Sequence, residues 1–255
     1  MSATIRDALA ILASRHRILV FTGAGISTES GIPDFRGPDG LWTKVDPDDF
    51  TIGRYLSDPS LRSRSWRTYL DGGLSAIIGA LPNPAHFAVT DLWRSGRWAG
   101  CVTQNIDGLH QAAGLPEEEV AELHGNLRSA RCLGCGTRWQ IGEVLARVEG
   151  GEEDPACPHC GGIVKTSTVM FGEMLPPDQL ERASRMTATA DAVLAVGTTL
   201  SVFPAAGFAV DAALRGLPLV IINVGRTDQD ELASVKIEEP AGGVLPQLVE
   251  ALTKR

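Results

Sequence analysis

The amino-acid sequence predicts an α/β fold, with a Rossmann-like domain built on a mostly parallel sheet and a second, smaller domain. Short apolar runs typical of buried strands alternate with segments of helical periodicity, as expected for a parallel sheet covered by helices on both faces. Small and polar residues directly follow several of these runs. Two C-x-x-C pairs in the middle of the chain indicate a compact module beside the sheet.

The composition indicates a soluble globular protein. Of the 255 residues, 44% are hydrophobic and 21% are charged, which suits one large domain or a large and a small one. The net charge of −8 argues against a nucleic-acid partner and is compatible with a cationic substrate such as a lysine-rich protein segment. No apolar stretch reaches the length of a membrane helix, and residues 1–17 lack the pattern of a signal peptide. We therefore expect a cytoplasmic protein with no membrane partner.

The first predicted strand, Ile18–Phe21, leads into the glycine-rich segment Thr22–Gly37. Gly23 and Gly25 have no Cβ, so the backbone can turn sharply there and lie against a ligand. Three hydroxyl residues could cap a short helix whose N–H groups would attract phosphate: Ser27, Thr28 and Ser30. A strand, a Gly-x-Gly turn and a helix start together indicate a dinucleotide site.

Two features of the usual dinucleotide motif are out of place in this loop. Thr28 occupies the position of the third glycine, and the acidic residue expected about 20 residues further on has no clear counterpart at a strand end. The nearest candidates, Asp46, Asp48 and Asp49, lie in a segment without strand character. These departures argue against an ordinary dehydrogenase. The glycines alone leave a simple Gly-rich turn equally open.

Three further predicted strands also end in small or polar residues. Trp98–Thr103 precedes Gln104–His110, Ala192–Val196 precedes Gly197–Ser201, and Leu219–Val224 carries Asn223 near its end. Open α/β sheets bind ligands at the carboxyl ends of their strands, so we expect these segments to converge at one edge of the sheet. Taken alone, an Asn and an Asp two residues apart, such as Asn105 and Asp107, more often shape a turn.

Four of the five cysteines form two matched pairs, Cys132 with Cys135 and Cys157 with Cys160, with 21 residues between the pairs. Each pair can present two thiolates from a tight turn, and four thiolates make a closed tetrahedral zinc site of the structural kind. A redox pair is the alternative, but two matched pairs in a reducing compartment favour one structural zinc. Cys101 falls within a predicted strand and is most simply a small core residue.

These features divide the chain into two predicted domains. Residues 1–37, 84–125 and 166–255 form the Rossmann-like domain. The smaller domain combines a mostly helical insertion, 38–83, with the zinc ribbon, 126–165.

Further elements are expected within the sheet domain. Helical spacing predicts helices over Pro84–Trp93, Met174–Met186, Pro204–Leu214 and Leu245–Leu252. The apolar run Val169–Phe171 predicts a strand that ends at Gly172. This strand could be part of the core, or its edge could accept an extended peptide as an added strand.

One histidine stands out by its position. His124 precedes a glycine and lies shortly before the first cysteine pair. The ordinary pKa of a histidine lies near neutrality, which suits a general base. One histidine among five is by itself only weak evidence of a catalytic role.

Several strings in this sequence closely resemble motifs of the sirtuins, the NAD-dependent protein lysine deacylases. They are Gly23-Ala-Gly-Ile-Ser27 with Ser30-Gly-Ile-Pro-Asp-Phe-Arg36, Asn83-x-x-His86, Gln104-Asn-Ile-Asp107 and Phe171-Gly-Glu173. The resemblance extends at motif level from about Ile18 to Asn223.

The resemblance implies a bound NAD whose pyrophosphate lies against the backbone of Ala24–Ser27. The residues implied for NAD binding are Gly23, Ala24, Gly25, Ile26, Ser27, Asp34, Phe35, Arg36, Gln104, Asn105, Ile106, Asp107, Gly197, Thr198, Thr199, Asn223 and Val224. By this resemblance Asp34–Arg36 border the nicotinamide-ribose pocket, Gln104 reaches the ribose, and Asn105 and Asp107 hold the nicotinamide end. The last four residues of the set contact the adenosine half. Thr199 stands where the family usually has Ser.

The resemblance also implies a reaction. In it the acetyl-lysine oxygen attacks the ribose carbon, nicotinamide leaves, and His124 takes a proton from a ribose hydroxyl, giving free lysine and O-acetyl-ADP-ribose. Catalysis is thereby assigned to His124 and Asn105, with positioning as the main contribution. Substrate contacts are assigned to Val169, Phe171, Gly172 and Glu173, and a structural role to His86.

The same resemblance narrows the range of acyl groups that we expect the protein to remove. Sirtuins that remove succinyl or malonyl groups carry a Tyr-x-x-Arg pair in the helical insertion to bind the acyl carboxylate. Here Asp58 stands three residues after Tyr55, and Gly72 stands three residues after Tyr69. We therefore expect an uncharged acyl group, acetyl or a longer one.

Two other functions remain open from the sequence. A protein mono-ADP-ribosyltransferase would pass the same activated ribose to a protein side chain. A non-catalytic NAD-sensing zinc-ribbon scaffold would use neither step, and the joint presence of Asn105, Asp107 and His124 argues against it.

Overall fold

The computed structural model describes residues 2–35, 40, 43, 45–71 and 75–254. Its strands are β1 Ile18–Thr22, β2 Trp98–Thr103, β3 Val120–Glu122, β4 Ser129–Cys132, β5 Arg138–Gln140, β6 Val164–Thr166, β7 Ala192–Val196, β8 Leu219–Ile222 and β9 Val235–Ile237. A six-stranded parallel sheet has the order β3-β2-β1-β7-β8-β9, and a three-stranded antiparallel sheet has the order β5-β4-β6. The fold class predicted from the sequence is confirmed.

Helices connect the strands of the large sheet and precede the small one. In the described part of the chain they are α1 Ala3–Leu12, α2 Ile52–Ser57, α3 Pro59–Leu70, α4 Ser75–Ile78, α5 Pro84–Arg94, α6 Leu109–Ala112, α7 Ile141–Glu149, α8 Pro177–Thr189, α9 Gly207–Leu214 and α10 Ala241–Thr253. Asn83 caps α5 through a hydrogen bond from the Ala85 N–H to its side chain, and Pro84 occupies the first turn. No described helix has the length and apolarity that crossing a membrane would need.

The large sheet is buried on both faces, which explains why its strands are continuous apolar runs. Every residue of β1, β7 and β8 is buried. Ile18 and Val20 of β1 pack in a cluster with α1, α5 and α10, whereas Leu19 and Phe21 pack in a second cluster with α8 and α9. Successive side chains of β1 point to opposite faces of the sheet, so this one five-residue strand contributes to both apolar clusters.

Strand order creates a crevice at the centre of the sheet. β1 pairs with β2 on one side and with β7 on the other. The chain first builds outward from β1 through β2 to β3, and later returns to the opposite side of β1. Such a reversal is a topological switch point, where open α/β sheets bind ligands beyond the carboxyl ends of their strands.

The small sheet packs with the helical segment that precedes α5. Trp66 and Tyr69 of α3 share an apolar cluster with Val144 of α7 and with β4 and β6. Arg62 of α3, with its side chain only 9% exposed, forms an ion pair with Asp154 at 2.8 Å. The helical segment and the ribbon are thus joined by both apolar packing and a partly buried ion pair.

The prediction of a strand over Val169–Phe171 is wrong, because this segment belongs to neither sheet. Phe171 forms one isolated parallel bridge with Thr51, and the backbone of the segment bonds to two different partners. The Val169 N–H donates to the His124 carbonyl at 2.8 Å, and the Phe171 N–H donates to the Phe50 carbonyl at 2.9 Å. Phe171 is 45% exposed, so the run is not a core strand.

Several boundaries also differ from the expected ones. α8 begins at Pro177 rather than Met174, because Pro176 has an extended backbone and Pro177 takes the first helical position. α9 begins at Gly207 rather than Pro204, and α10 begins at Ala241 rather than Leu245. The three-residue strands β3 and β9 were not predicted, since so short a run carries no periodic signal.

Candidate functional site

Five loops lie side by side at the carboxyl edge of the parallel sheet. They follow β3, β2, β1, β7 and β8, which are consecutive neighbours. The hydrogen-bond ladder continues one residue past the strands, through Leu123 N–H to Thr103 O, Gln104 N–H to Thr22 O, Gly23 N–H to Val196 O and Gly197 N–H to Ile222 O, at 2.8–3.1 Å. The polar segments that follow these strands are therefore brought together, as the sequence predicts.

The glycine loop packs closely against the loop after β7. A Cβ on Gly23 would lie 2.8 Å from the Gly197 carbonyl oxygen, and one on Gly25 would lie 2.7 Å from the Gly197 Cα. Gly197 itself has a φ of +61°. These glycines are required for contact between two loops, in addition to any approach of a ligand.

The expected single capped helix is replaced by two short 3₁₀ turns, Ala24–Ile26 and Thr28–Ser30. No side chain caps either turn. Ser27 is instead fully buried. Its hydroxyl forms hydrogen bonds with side chains outside the glycine loop. The prediction of a side-chain cap at this position is therefore wrong.

Ser27 is the centre of a polar network beneath the switch point. Its hydroxyl donates to Asp107 Oδ2 at 2.8 Å and accepts from Asn105 Nδ2 at 3.2 Å. His86 Nε2 lies 3.4 Å from the same oxygen, and the Asn83 N–H donates to His86 Nδ1. That donor places the proton of the neutral ring on Nε2, pointing at Ser27. With its amide nitrogen on Ser27, Asn105 directs its Oδ1 away from this network.

A second relay holds the start of the loop after β2. The Thr22 hydroxyl donates to Thr103 Oγ1 at 2.8 Å, and the Asn105 N–H donates to the same oxygen at 3.0 Å. Because the Thr22 proton is committed to Thr103, His110 Nε2 must donate to Thr22, at 2.9 Å. His110 Nδ1 is buried and has no hydrogen-bond partner among the described residues. Neither relay residue on β1 and β2 was predicted.

The two buried histidines are kept neutral. Their rings lie 5.2 Å apart in an edge-to-face arrangement. Burial, with the neighbouring His110, lowers the pKa of His86 to about 3. Burial alone lowers the pKa of His110 to about 4. Neutral rings preserve the proton positions on which both relays depend.

His124 lies between the loop after β2 and the segment 167–173. Its Nδ1 lies 3.0 Å from the Gln104 carbonyl oxygen, which can only accept, so Nδ1 carries the proton and Nε2 has the lone pair in the neutral ring. Gly125 has a φ of +70°, and a Cβ there would lie 1.9 Å from the Ser167 carbonyl oxygen. This close approach, with the bond from the Val169 N–H to the His124 carbonyl, holds half-buried His124 beside the segment 169–171.

The remaining expected NAD contacts lie around this centre. Gln104 Nε2 donates to Thr198 Oγ1 at 2.9 Å, which joins the loops after β2 and β7. Thr199 Oγ1 lies 2.8 Å from Ser201 Oγ, and Asn223 is buried after β8, whereas Val224 is 67% exposed. Ile106 accepts a hydrogen bond at its carbonyl from the Leu127 N–H. Asp34 and Phe35 are half-buried, and Arg36 lies outside the described residues.

The residues expected to contact the substrate have two different environments. Val169 and Phe171 are tied by their backbones to His124 and to Phe50, and Gly172 has a φ of +85°. The Glu173 side chain is directed elsewhere, at two cations of the small sheet. These cationic partners were not predicted, because Arg131 is distant in the chain and no local pattern indicates the pairing of Lys165 with Glu173.

The four paired cysteines form one cluster. Their sulfurs all lie within 4.8 Å of one another, with Cys132 and Cys160 at 3.5 Å and Cys135 and Cys157 at 3.6 Å. Tetrahedral zinc with Zn–S bonds of about 2.3 Å needs sulfurs about 3.8 Å apart. All are free thiols. A Cβ on Gly162 would lie only 3.0 Å from Cys132 Sγ, so the backbone of this turn packs closely against the cysteine sulfurs. This donor set fits one structural zinc.

The fold and site together define a nucleotide-binding α/β protein with a structural metal module. The family model described as the Sir2 family matches residues 23–204. The chain belongs to the Sir2 family.

The similar proteins cover nearly the whole chain. NAD-dependent protein deacetylase 2 of Streptomyces coelicolor is 48% identical over 238 residues, or 92% of this chain and 97% of that protein. A solved Sir2 complex with a p53 peptide and NAD⁺ has a TM-score of 0.86 at 33% identity, with 98% of each chain covered. A Sir2 variant with a deacetylated p53 peptide and 3′-O-acetyl-ADP-ribose has a TM-score of 0.88 at 33% identity, covering 96% of this chain and 97% of that one.

Removing one cluster cysteine should release the metal. Cys157→Ser is expected to lower the zinc content from about one atom per chain towards zero and to destabilise the small sheet, because binding and folding of such a module are linked. Metal analysis and thermal unfolding measure both effects. Cys101→Ala is the control, since Cys101 lies in β2 outside the cluster and should leave zinc in place. Full zinc in the Cys157→Ser protein would indicate another ligand set.

The buried histidines should make the fold acid-sensitive. In the unfolded chain both have a pKa of about 6.5, so between about pH 6.5 and 4 the unfolded state binds more protons than the folded state. The free energy of unfolding should therefore fall as pH falls, by up to about 1.4 kcal/mol per pH unit for each histidine. Urea unfolding at several pH values measures this slope.

His110→Gln provides the comparison for that slope. Gln keeps an N–H donor towards Thr22 but cannot titrate, so the variant should show a shallower dependence of unfolding free energy on pH. An unchanged slope would mean that His110 does not contribute to the acid sensitivity.

Proposed function

We propose that this protein is an NAD-dependent protein-lysine deacetylase that releases nicotinamide and O-acetyl-ADP-ribose. The observation that carries the proposal is the convergence of the His124 imidazole with Gln104, Asn105 and Ser27 at the switch point of the sheet. Its relative from Streptomyces coelicolor bears the name NAD-dependent protein deacetylase, and related Sir2 structures hold NAD⁺, p53 peptides and an acetyl-ADP-ribose.

NAD is the co-substrate, and it supplies a ribose carbon that becomes electrophilic when nicotinamide leaves. We assign the backbone of Ala24–Ser27 to its pyrophosphate, and Asp34, Phe35 and Arg36 to the border of the nicotinamide-ribose pocket. Gln104 is assigned to the ribose, and Asn105, Ile106 and Asp107 to the nicotinamide end. Thr198, Thr199, Asn223 and Val224 are assigned to the adenosine half, and Gly197 remains assigned to NAD binding without a particular part of it. The relays through Ser27 and Thr22 support this assignment because they fix the Asn105 side chain and backbone before any ligand arrives.

His124 is the proposed general base. With its proton on Nδ1 and donated to the Gln104 carbonyl, the neutral ring offers the Nε2 lone pair that proton removal from a ribose hydroxyl requires. The same carbonyl hydrogen bond would stabilise the ring after it has taken the second proton. Asn105 is the proposed second catalytic residue, held by Ser27 so that its Oδ1 faces away from the buried network.

The acyl-lysine peptide is proposed to lie along Val169–Gly172, next to His124. The net charge of −8 favours a substrate with cationic flanks. We also propose a cytoplasmic location, since four cysteines grouped to hold one metal, and not paired as disulfides, are typical of a reducing compartment.

The reaction and the base are tested together with an acetyl-lysine peptide and NAD. The wild-type protein should release nicotinamide and form O-acetyl-ADP-ribose, which mass spectrometry detects. His124→Ala should lower kcat by about 10²–10⁴-fold while NAD binding by calorimetry is retained. Label from NAD on protein instead of on a soluble product would indicate ADP-ribosyl transfer. Equal turnover in the variant would remove His124 from the mechanism.

The acyl group should be uncharged. Both tyrosines of the helical segment are buried, with the Tyr55 hydroxyl on the Val164 carbonyl at 3.0 Å and the Tyr69 hydroxyl on Thr166 Oγ1 at 3.3 Å. Neither hydroxyl therefore faces an acyl pocket, and a buried succinyl carboxylate would lack a partner from them.

We expect kcat/KM for an acetyl peptide to exceed that for the succinyl peptide by at least about tenfold. A butyryl peptide separates size from charge, because it matches succinyl in length without the carboxylate. Faster removal of succinyl than of acetyl from the same peptide would contradict this prediction.

A further inference from the structure

We propose that Glu173 is a positioning residue that fastens the peptide-binding segment Val169–Gly172 to the zinc-ribbon sheet, so that substrate binding depends on an intact metal module. This inference rests on the proposed function, because it takes that segment as the site of the acyl-lysine peptide. It gives Glu173 a different role from direct contact with substrate.

Two cations lie opposite each other on the small sheet. Arg131 of β4 is the cross-strand partner of Lys165 of β6 in the antiparallel register. Like charges at directly opposed positions of a sheet destabilise it, so an anion between them is required. The neighbouring pair in the same register is Cys132 with Val164, which places a zinc ligand one residue from the cations.

Glu173 supplies that anion. Its Oε1 lies 2.8 Å from an Arg131 guanidinium nitrogen, and its Oε2 lies 3.0 Å from Lys165 Nζ. The Met170 N–H donates to Oε2 at 2.8 Å, and the Glu173 N–H donates to the Met170 carbonyl at 3.0 Å. The turn Met170–Glu173 is therefore closed twice by Glu173, once through its backbone and once through its carboxylate.

Lys165 and Glu173 are buried, whereas the Arg131 side chain is 36% exposed and its Nε has no hydrogen-bond partner among the described residues. The side chains of Lys165 and Glu173 are 2% and 10% exposed. Lys165 Nζ also donates to the Thr166 and Thr168 carbonyls, so all three of its N–H groups have acceptors. Burial lowers the pKa of Lys165, and Glu173 opposes that shift. A carboxylate with these three donors, and with so little exposure, is occupied by the protein itself.

Three attachments together hold the peptide-binding segment. The Val169 N–H bonds to the His124 carbonyl, and Phe171 exchanges backbone hydrogen bonds with Phe50 and Ile52. Glu173 adds the third, which folds residues 165–173 back onto the strand from which they emerge. The first two attachments fix the segment against the catalytic histidine and the helical insertion, and the third fixes it against the ribbon.

The link to zinc follows from the sheet. The metal cluster holds β4 next to β6 through Cys132 and the second cysteine pair. Loss of zinc would loosen this pairing and separate Arg131 from Lys165. The Glu173 carboxylate would then no longer be held between its two cations. The segment 169–172 would lose one of its three attachments. This gives the ribbon a role in substrate binding.

The test compares Glu173→Gln with wild type in the zinc-loaded protein. The amide has nearly the same shape but no charge, so the peptide-binding segment should be held less firmly. The Kd for a fluorescent acetyl-lysine peptide, measured by polarisation, should therefore rise about tenfold. KM for that peptide should rise equally, while the KM for NAD and kcat at saturating peptide stay within about twofold. Glu152→Gln is the matched control, since Glu152 pairs with Arg147 on the ribbon without contact to the segment.

Further variants separate positioning from folding and from direct contact. Lys165→Met combined with Glu173→Gln removes the buried cation that the single variant leaves unpaired; it should keep zinc and still bind peptide weakly. Lys165→Arg should preserve peptide affinity. Arg131→Gln should weaken peptide binding although Glu173 is present, which a direct contact between Glu173 and substrate does not predict.

The outcomes distinguish this inference from the proposed function. If wild type deacetylates the peptide but Glu173→Gln, with zinc retained, binds it as tightly as wild type, the inference is overturned and the function stands. If wild type binds the peptide without turning it over and Glu173→Gln weakens binding, the function fails and the positioning role stands. Zinc removal with a chelator should likewise weaken peptide binding before NAD binding, and equal loss of both would contradict the link.

Discussion

The parallel pairing of β1 with β2 on one side and β7 on the other is the constraint on which the rest of the structure depends. Because the ladder continues through Gly23, Gln104 and Gly197, loops from distant parts of the chain emerge in contact. The contact is possible only where Cβ atoms are missing, as at Gly23 and Gly25 against Gly197. The glycine-rich loop thus serves packing between loops as much as it serves a ligand, and a side chain at either position would separate the loops that make the site.

Beneath these loops the site is arranged by a network of hydrogen bonds. Ser27 receives donors from His86 and Asn105 and gives its own proton to Asp107, while Thr22 and Thr103 fix the backbone of Asn105. Each buried group has a defined direction of donation, and burial of the two histidines keeps that direction constant near neutral pH. Such preorganisation suits a reaction in which positioning makes the main contribution.

Sequence reasoning succeeded where one local pattern determines the structure. β1, β2 and β7 are continuous, mostly apolar runs, and the cysteine spacing allows few arrangements, so the sheet and the metal cluster were predictable. It failed for Val169–Phe171, whose apolar run bonds to separate loops instead of a strand. The relay through His110 and the ion pairs of Glu173 were also missed. Thr22 is far in sequence from His110, as Arg131 is from Glu173, and no periodicity indicates the pairing of Lys165 with Glu173.

The most direct test of the central claim is a crystal structure of the protein with NAD and an acetyl-lysine peptide. The account predicts the nicotinamide riboside at the switch point, with its carboxamide beside Asn105 and Asp107 and a ribose hydroxyl within hydrogen-bond distance of His124 Nε2. A nucleotide bound away from the carboxyl ends of β1, β2 and β7, or a ribose beyond the reach of His124, would contradict it.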